Sequence, residues 1–384
     1  MSTVAPYDLT PVFSIVGVGA LLALGPLAWV WLRHRVSRPG ARLQALTVLT
    51  LFLTFDLVAF GAFTRLTDSG LGCPDWPGCY GSASPAGAHA EIRAAQTALP
   101  SGPVTQGKAW VEMVHRYLAT GVGALITVLA VSSWIAARKR RLDVSKWWPI
   151  ATLAWVCLQG AFGALTVTMK LYPAIVTAHL LGGLVLLVLL AVQIRPHARA
   201  SLQLSPGLRA AAIALAVISA AQIALGGWVS TNYAVLACRD FPTCQGVWWP
   251  AMDFEHGFAL LRELGAGKDG GMLPFAALTA IHYVHRLGAY LVLAAMALFA
   301  WRLHASGNAD LRRWAWGAAG IGLWQLASGL SNVLLGWPLL GAVAHTAGAA
   351  AWVTWLALLF ARVRTERTAP RGHRLPDAML RGAP

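Results

Sequence analysis

The sequence predicts an all-α polytopic membrane protein, built from two pseudo-symmetric four-helix transmembrane bundles and one extra N-terminal transmembrane helix. Three observations carry this prediction. The chain has 384 residues, of which 57% are apolar and only 12% are charged. Apolar runs of about 20 residues, the length that crosses a bilayer core, recur along it. Its intramembrane histidines and its loop cysteines also recur at a nearly constant spacing along the chain. Inside lipid the backbone groups of such runs must be satisfied internally, which favours helices.

We count nine apolar runs, at roughly residues 11–32, 43–64, 110–137, 147–168, 173–194, 208–230, 275–301, 312–335 and 339–361. The first run has no counterpart in the repeat, so residues 1–42 are predicted to be an added anchor helix with a basic loop. Residues 43–207 and 208–361 are predicted to be the two bundles, and residues 362–384 a basic tail. Each bundle holds an even number of spans, so the repeat is parallel rather than inverted.

The charge pattern predicts the orientation of the chain. Alternate loops and the C-terminal tail hold 21 Lys and Arg residues, whereas the loops on the opposite side hold 7. Basic loops face the cytoplasm, so we expect the N-terminus outside and the C-terminus inside. The expected location is a bacterial inner membrane. A net charge of +15 would by itself be compatible with nucleic-acid binding, but its concentration in alternate loops argues against a nucleic-acid partner. Membrane lipid is the expected surrounding.

Four histidines lie inside the apolar runs at matched places. His115 recurs as His285, and His179 recurs as His345 at nearly the same interval. All four lie within about 15 Å of the predicted outer end of a helix, at 1.5 Å rise per residue. Ionisable residues inside a membrane are by default functional, and two histidines on different helices suit axial ligation of haem iron. An interhelical hydrogen bond is the alternative for each histidine.

Two cysteine pairs lie in the loops predicted to be external. Cys73 and Cys79 recur as Cys238 and Cys244, and both members of the pair are displaced by the same interval. Disulfides persist in an oxidising compartment. Four cysteines allow three connectivities, of which pairing within each loop is the simplest. A zinc site made of all four cysteines stays open as the alternative.

The halves differ beside the histidines. Glu112 is three residues before His115 and shares its helix face, whereas the same slot in the second half holds His282. This difference suggests a reactive site in the first half and an electron-carrying cofactor in the second. Arginines near the outer ends could bind haem propionates through charge-assisted forks or could snorkel to the interface: Arg65, Arg116 and Arg286.

Two further polar or reactive residues lie inside predicted spans. Asp56 is interpreted either as part of a proton relay or as a carboxylate that bonds a neighbouring helix and points into the bundle. Cys157 is expected to be a small core residue.

The motifs TRLTDSGLGCPDWPGC, EMVHR, TAHL, HYVHR and AHT occur in this order between residues 43 and 361, and together they resemble the haem A synthase family. The resemblance implies two similar four-helix bundles that oxidise the C8 methyl of haem O to a formyl, giving haem A for haem–copper oxidases. By this resemblance His115 and His179 would hold the substrate haem, His285 and His345 would ligate a resident haem b, and Glu112 would be the catalytic carboxylate.

The resemblance carries further expectations. Cys73 and Cys79 would match the cysteine pair of many bacterial members. Expected partners are haem O synthase and cytochrome oxidase assembly factors, with an electron acceptor that the sequence does not identify; a homo-oligomer is left open. The first apolar run departs from the family's layout of eight spans. Two other functions stay open, a dihaem cytochrome b that passes electrons, for example from quinol, and a haem-delivery protein.

Overall fold

The computed structural model describes residues 10–37, 39–139, 145–194 and 202–363. These residues form helices joined by loops and turns, and their extended pairing consists of isolated bridges. The helices are α1 (Thr10–Arg33), α2 (Pro39–Leu66), α3 (His89–Ala98), α4 (Gln106–Arg138), α5 (Trp147–Thr168), α6 (Pro173–Ala191), α7 (Pro206–Thr231), α8 (Phe254–Gly257), α9 (Phe275–Ala305), α10 (Ala309–Leu334) and α11 (Leu339–Arg362).

Eight of the helices in the described residues are long and apolar enough to span a membrane, namely α1, α2, α4, α5, α6, α7, α9 and α11. The predicted class, an all-α polytopic membrane protein, is confirmed. The ninth long helix, α10, begins with Asp310, Arg312 and Arg313 and is diluted by Gly, Ser, Gln and Asn. Hydropathy therefore supports eight spans, although α10 packs against both α9 and α11 as a bundle member would.

Local chemistry sets where the helices begin. The Thr105 hydroxyl accepts a hydrogen bond from the Lys108 amide at the start of α4, and the Ser205 hydroxyl does the same for Leu208 in α7. Such caps satisfy amides that have no partner within the helix. α6 begins with Pro173, whose ring fits the first helical position because the missing N–H is not needed there. These residues fix where α4, α6 and α7 begin.

One apolar core lies among α1, α2, α4 and α6 and includes Ala350 and Ala357 of α11, and a second lies among α7, α9, α10 and α11. Contacts of α2 with α11 and of α6 with α7 and α11 join the two groups. Between the two groups the hydroxyls of Thr177 and Thr231 lie 3.1 Å apart, and within the second group the Trp352 indole of α11 donates to Ser219 of α7 at 2.9 Å. Hydrogen bonds of this kind stabilise the contact between helices in a membrane, where the hydrophobic effect does not favour their association.

Helix α1 is more closely integrated than an added anchor requires. A Cβ built on Gly19 would lie 2.5 Å from the Thr120 methyl of α4, so the two helices touch at a position that only glycine allows. Its Ile15 is buried in one apolar cluster with Met113, Cys73 and Cys79. α1 therefore packs on the helix that carries His115.

Some sequence-based expectations fall outside the described residues. These are the N-terminal residues 1–9, parts of two basic loops at 140–144 and 195–201, and most of the basic tail, at 364–384. The boundaries of the two bundles and their relation by a parallel repeat stay predictions.

Candidate functional site

His115 of α4 and His179 of α6 are neighbours in the first half. They are close enough for the charge of one ring to act on the other. A glycine from an adjacent helix lies beside each ring: Cβ atoms built on Gly61 and Gly163 would lie 3.1 and 3.5 Å from Cε1 of His115 and His179. The ring of Phe60 stacks on His115 at 6.1 Å between centroids. The Nδ1 atoms of both histidines are buried and have no hydrogen-bond partner in the described residues.

His285 of α9 and His345 of α11 form the equivalent pair in the second half, again within electrostatic reach of each other. Gly226 and Gly329 lie beside their rings, with built Cβ atoms 2.9 and 3.3 Å from Cε1.

The Nδ1 atoms of this second pair have partners. The Gln222 amide lies 3.0 Å from Nδ1 of His285. The Ser328 hydroxyl lies 2.9 Å from Nδ1 of His345 and donates its own proton to the Trp324 carbonyl. Ser328 therefore accepts from Nδ1–H of His345, which leaves Nε2 of that ring free to bind a metal.

Both pairs suit haem ligation. Each offers two imidazoles from different helices, and each ring has a glycine close to its Cε1. The glycines were not singled out by the sequence reasoning. Their signal was available, because Gly61 recurs as Gly226 at the interval of the cysteines, and Gly163 recurs as Gly329 at the interval of the second histidines.

Glu112 ties the first disulfide loop to α4. It is 4% exposed. One carboxylate oxygen accepts from Nη2 of Arg116 at 2.5 Å, and the other accepts from the backbone amide of Cys73 at 2.8 Å. Both oxygens thus have protein donors one turn from His115. The expected catalytic role of Glu112 stays a prediction, and the structure adds a positioning role.

Arg116 completes this tie. Its Nη1 donates to three loop carbonyls, those of Asp75, Pro77 and Gly78, at 3.1, 3.0 and 2.6 Å. Arg286 does the same in the second half, where it donates to the carbonyls of Asp240, Thr243 and Cys238 at 2.9, 2.6 and 3.2 Å. These two arginines fasten loops over the helix ends.

Arg65 lies where the halves meet. Its Nη2 donates to the Ser230 carbonyl at 2.6 Å, its Nη1 contacts Asp68 at 3.3 Å, and its guanidinium stacks over the Tyr233 ring at 4.0 Å. The Tyr233 hydroxyl donates to Asp68 at 2.7 Å. All three arginines expected near propionates thus have protein partners, and propionate binding by them stays a prediction.

The two cysteine loops close in the same way. Disulfides join Cys73 to Cys79 and Cys238 to Cys244, which confirms local pairing and excludes the four-cysteine zinc site. Inside each loop an aspartate accepts two backbone amides, Asp75 from Tyr80 and Gly81, and Asp240 from Gln245 and Gly246. Hydrogen bonds from the Thr243 hydroxyl and these amides lower the pKa of Asp240 to about 2.

Two residues inside α2 and α5 are not where we expected them. Asp56 is exposed on the outer surface of α2 rather than pointing into the bundle, and Cys157 is exposed rather than in the core. The face of a helix that meets neighbours depends on packing, which hydropathy alone does not give.

Known proteins are similar to this chain over most of its length. Residues 44–357 match the family described as cytochrome oxidase assembly protein (COX15-CtaA). A haem A synthase of Shewanella oneidensis is 38% identical over 79% of this chain and 91% of its own length. A haem A synthase of Methylobacterium sp. strain 4-46 is 31% identical over 89% of this chain and 98% of its own length. One of Halalkalibacterium halodurans is 26% identical over 74% and 85%. From these matches, with the histidine pairs and both disulfides in place, the chain belongs to the haem A synthase family of cytochrome oxidase assembly proteins.

Proposed function

We propose that this protein is a haem A synthase that oxidises the C8 methyl of haem O to a formyl group and releases haem A. In this proposal His115 and His179 hold the substrate haem, and His285 and His345 hold a resident haem b. This assignment of the two haems rests on the hydrogen bonding of Nδ1 in the four histidines. Both second-half rings have a side-chain partner at Nδ1, and both first-half rings have none among the described residues.

The physical reason lies in what a second hydrogen bond does to a ligand. A partner at Nδ1 fixes the tautomer and orientation of an imidazole and raises its basicity, and losing it typically costs about 10- to 100-fold in metal affinity. Ser328 is such a partner, as an acceptor, for His345. The Gln222 amide nitrogen lies 3.0 Å from Nδ1 of His285 and donates to the His285 carbonyl at 2.9 Å, so it fixes the position of that ring. A site with such partners suits a group that stays, and a site without them suits a group that must leave as product.

The sequence of the halves supports the same division. When the halves are aligned on their cysteines and second histidines, Gln222 corresponds to Leu57 of the first half and Ser328 corresponds to Phe162. Neither leucine nor phenylalanine can bond an imidazole nitrogen. The first half therefore lacks these partners by composition and not only by side-chain placement.

Glu112 places a carboxyl group in the first half, three residues before His115 on the same helix. When bound, haem b would supply one-electron redox chemistry, and methyl oxidation also releases protons. A carboxylate one turn from the ligand can stabilise developing positive charge or accept a proton. Its contact with Arg116 holds it at that place, and the Cys73 amide ties it to the covering loop.

The orientation in the proposal follows the charge pattern, with both disulfide loops outside and the basic loops in the cytoplasm. The four histidines are then near the outer face.

The test uses the full-length protein expressed with a supply of haem O. Extracted haems are identified by mass, and the purified protein is examined by optical spectra. We expect conversion to haem A, loss of the resident b spectrum in His285→Ala and His345→Ala, and its retention in His115→Ala. Ser328→Ala should weaken retention of the resident haem about tenfold or more, whereas Phe162→Ala is the matched control at the equivalent first-half position.

Three results would count against the proposal. Two unchanged b haems with no haem A would indicate an electron carrier, and loosely held haem without conversion would indicate a delivery protein. Loss of the b spectrum in the first-half variants alone would reverse the two halves.

A further inference from the structure

A buried guanidinium lies at the external end of α7 and has no carboxylate partner in the part of the chain that the structure describes. Arg262 belongs to the loop 232–274 and is 4% exposed. Its Nη2 donates to the Asn232 side-chain oxygen at 2.5 Å, and its Nη1 donates to the Ala266 carbonyl at 3.1 Å. Its Nε is buried and has no acceptor.

Arginine keeps its charge in proteins and has five N–H donors. Removing a charge from water costs several kcal/mol unless an opposite charge and full hydrogen bonding compensate it. Here the compensation is two neutral oxygens and the ring of Trp228, 5.5 Å from the guanidinium carbon. The Nε and Nη edge of a guanidinium is the edge that binds a carboxylate with two parallel hydrogen bonds.

The other buried arginines of the external side differ in this respect. Arg116 contacts the carboxylate of Glu112 and three carbonyls, and Arg286 contacts three carbonyls. Neither has a buried nitrogen without an acceptor, whereas Arg262 does. Arg262 was also not among the candidates from the sequence, because it lies in a loop outside every repeated motif.

Its place connects it with the histidine pairs. Trp228, below the guanidinium, packs in one cluster with Ala174 of α6 and Ile281 of α9. Ala174 is five residues before His179 and Ile281 is four before His285, so both histidines lie roughly 6–8 Å deeper along their helices. A haem carries two carboxylates at one edge of its ring, and these extend beyond the iron by a comparable distance.

We propose that Arg262, held by Asn232, is the binding site for a haem carboxylate at the external ends of α6 and α7. The inference rests on the proposed function, since it takes the bound molecule to be a haem. The carboxylate can come from the haem of either histidine pair, and the two sources are separated by the experiment.

The experiment measures equilibrium binding of protohaem and of protohaem dimethyl ester to the full-length protein in lipid nanodiscs. The ester keeps the ring and the iron but removes both carboxylate charges. Variants are Arg262→Gln and Arg262→Lys, with Arg239→Gln as the control, an arginine of the same loop. Arg262→Gln should weaken protohaem binding about tenfold or more, since hydrogen bonds to charged groups are worth about 1.5–3 kcal/mol. It should leave ester binding unchanged, with the lysine variant between the two.

Repeating the titration in His179→Ala and His345→Ala backgrounds identifies the source. The effect of Arg262→Gln disappears in the background that lacks the haem whose carboxylate Arg262 binds. Equal weakening of protohaem and ester would show that Arg262 only supports the loop, and an unchanged protohaem affinity would overturn the inference. If the wild-type chain binds neither compound, the proposed function fails first. Thermal unfolding of each variant without haem separates a folding defect from lost binding.

Discussion

Replacing Glu112 tests whether the first disulfide loop is held in place by a buried ion pair. The carboxylate is 4% exposed and satisfies both the Arg116 guanidinium and the Cys73 amide. Removing one partner of a buried pair costs about 3–5 kcal/mol, because the other charge is left uncompensated. Glu112→Ala should therefore destabilise the protein by about that amount. Glu112→Gln keeps the shape and loses the charge, so its cost should be about 1.5–3 kcal/mol.

The assay is unfolding of the full-length protein in detergent, together with hydrogen exchange of the amides around Cys73. A double-mutant cycle with Arg116→Gln isolates the pair, and His282→Gln serves as the equivalent change in the second half. We expect faster exchange at Cys73 in the Glu112 variants and unchanged exchange around Cys238. A stable Glu112→Ala protein with a protected Cys73 amide would show that Glu112 does not hold the first disulfide loop against α4. If Glu112→Gln instead keeps this protection but converts no haem O, the carboxylate acts in the chemistry.

Three further predictions concern single positions. Asp56 is exposed within α2, and Asp56→Leu should raise thermal stability in lipid, because an aspartate at the centre of a span costs about 2.5–3.5 kcal/mol; a loss of stability in the native membrane would show that a partner binds there. Gly226→Ala should weaken haem retention in the second half, since the added Cβ would lie 2.9 Å from Cε1 of His285; unchanged b spectra would contradict this. Because hydrogen bonds lower the pKa of Asp240 to about 2, its stabilising effect is present above its ordinary pKa and is lost as pH falls through about 2. Asp240→Asn should thus increase exchange of the Gln245 amide at neutral pH, and a variant as protected as wild type would disprove it.

The membrane-spanning helices and the candidate haem-binding histidines could be predicted from the sequence for a plain physical reason. A span must be apolar over its whole length, and a histidine inside it is conspicuous. Cysteine pairs in the loops between spans are equally visible, and both disulfides formed as expected. The structure extended α4 and α9 by several residues beyond the predicted runs, because their polar ends continue the helix outside the apolar stretch.

The partners of the arginines could not be predicted. The acceptors of Arg116 and Arg286 are carbonyls of loops whose backbone path is set by turns, a disulfide and an aspartate that accepts backbone amides. Arg116 and Arg262 look alike in a sequence, yet Arg116 contacts a carboxylate and three carbonyls, whereas Arg262 has a buried Nε without an acceptor in the described residues. Likewise Asp56 looks like an interior carboxylate until packing shows which face of α2 is covered.

The extra helix α1 adds a packing contact to α4, the helix that carries His115. α4 packs on α1, α2 and α5, whereas α9, its counterpart, packs among the long helices on α7 and α10. The contact between α1 and α4 centres on Gly19 and Thr120, and Thr120 is five residues after His115. The corresponding residue of α9, Tyr290, is 43% exposed. α1 lies outside the residues that match the family, and close packing of this kind restricts the tilt of a helix. The Nδ1 atoms of the first-half histidines have no hydrogen-bond partner among the described residues. The position of His115 therefore depends on how the backbone of α4 is held. α1 is one of the three long helices that pack against α4.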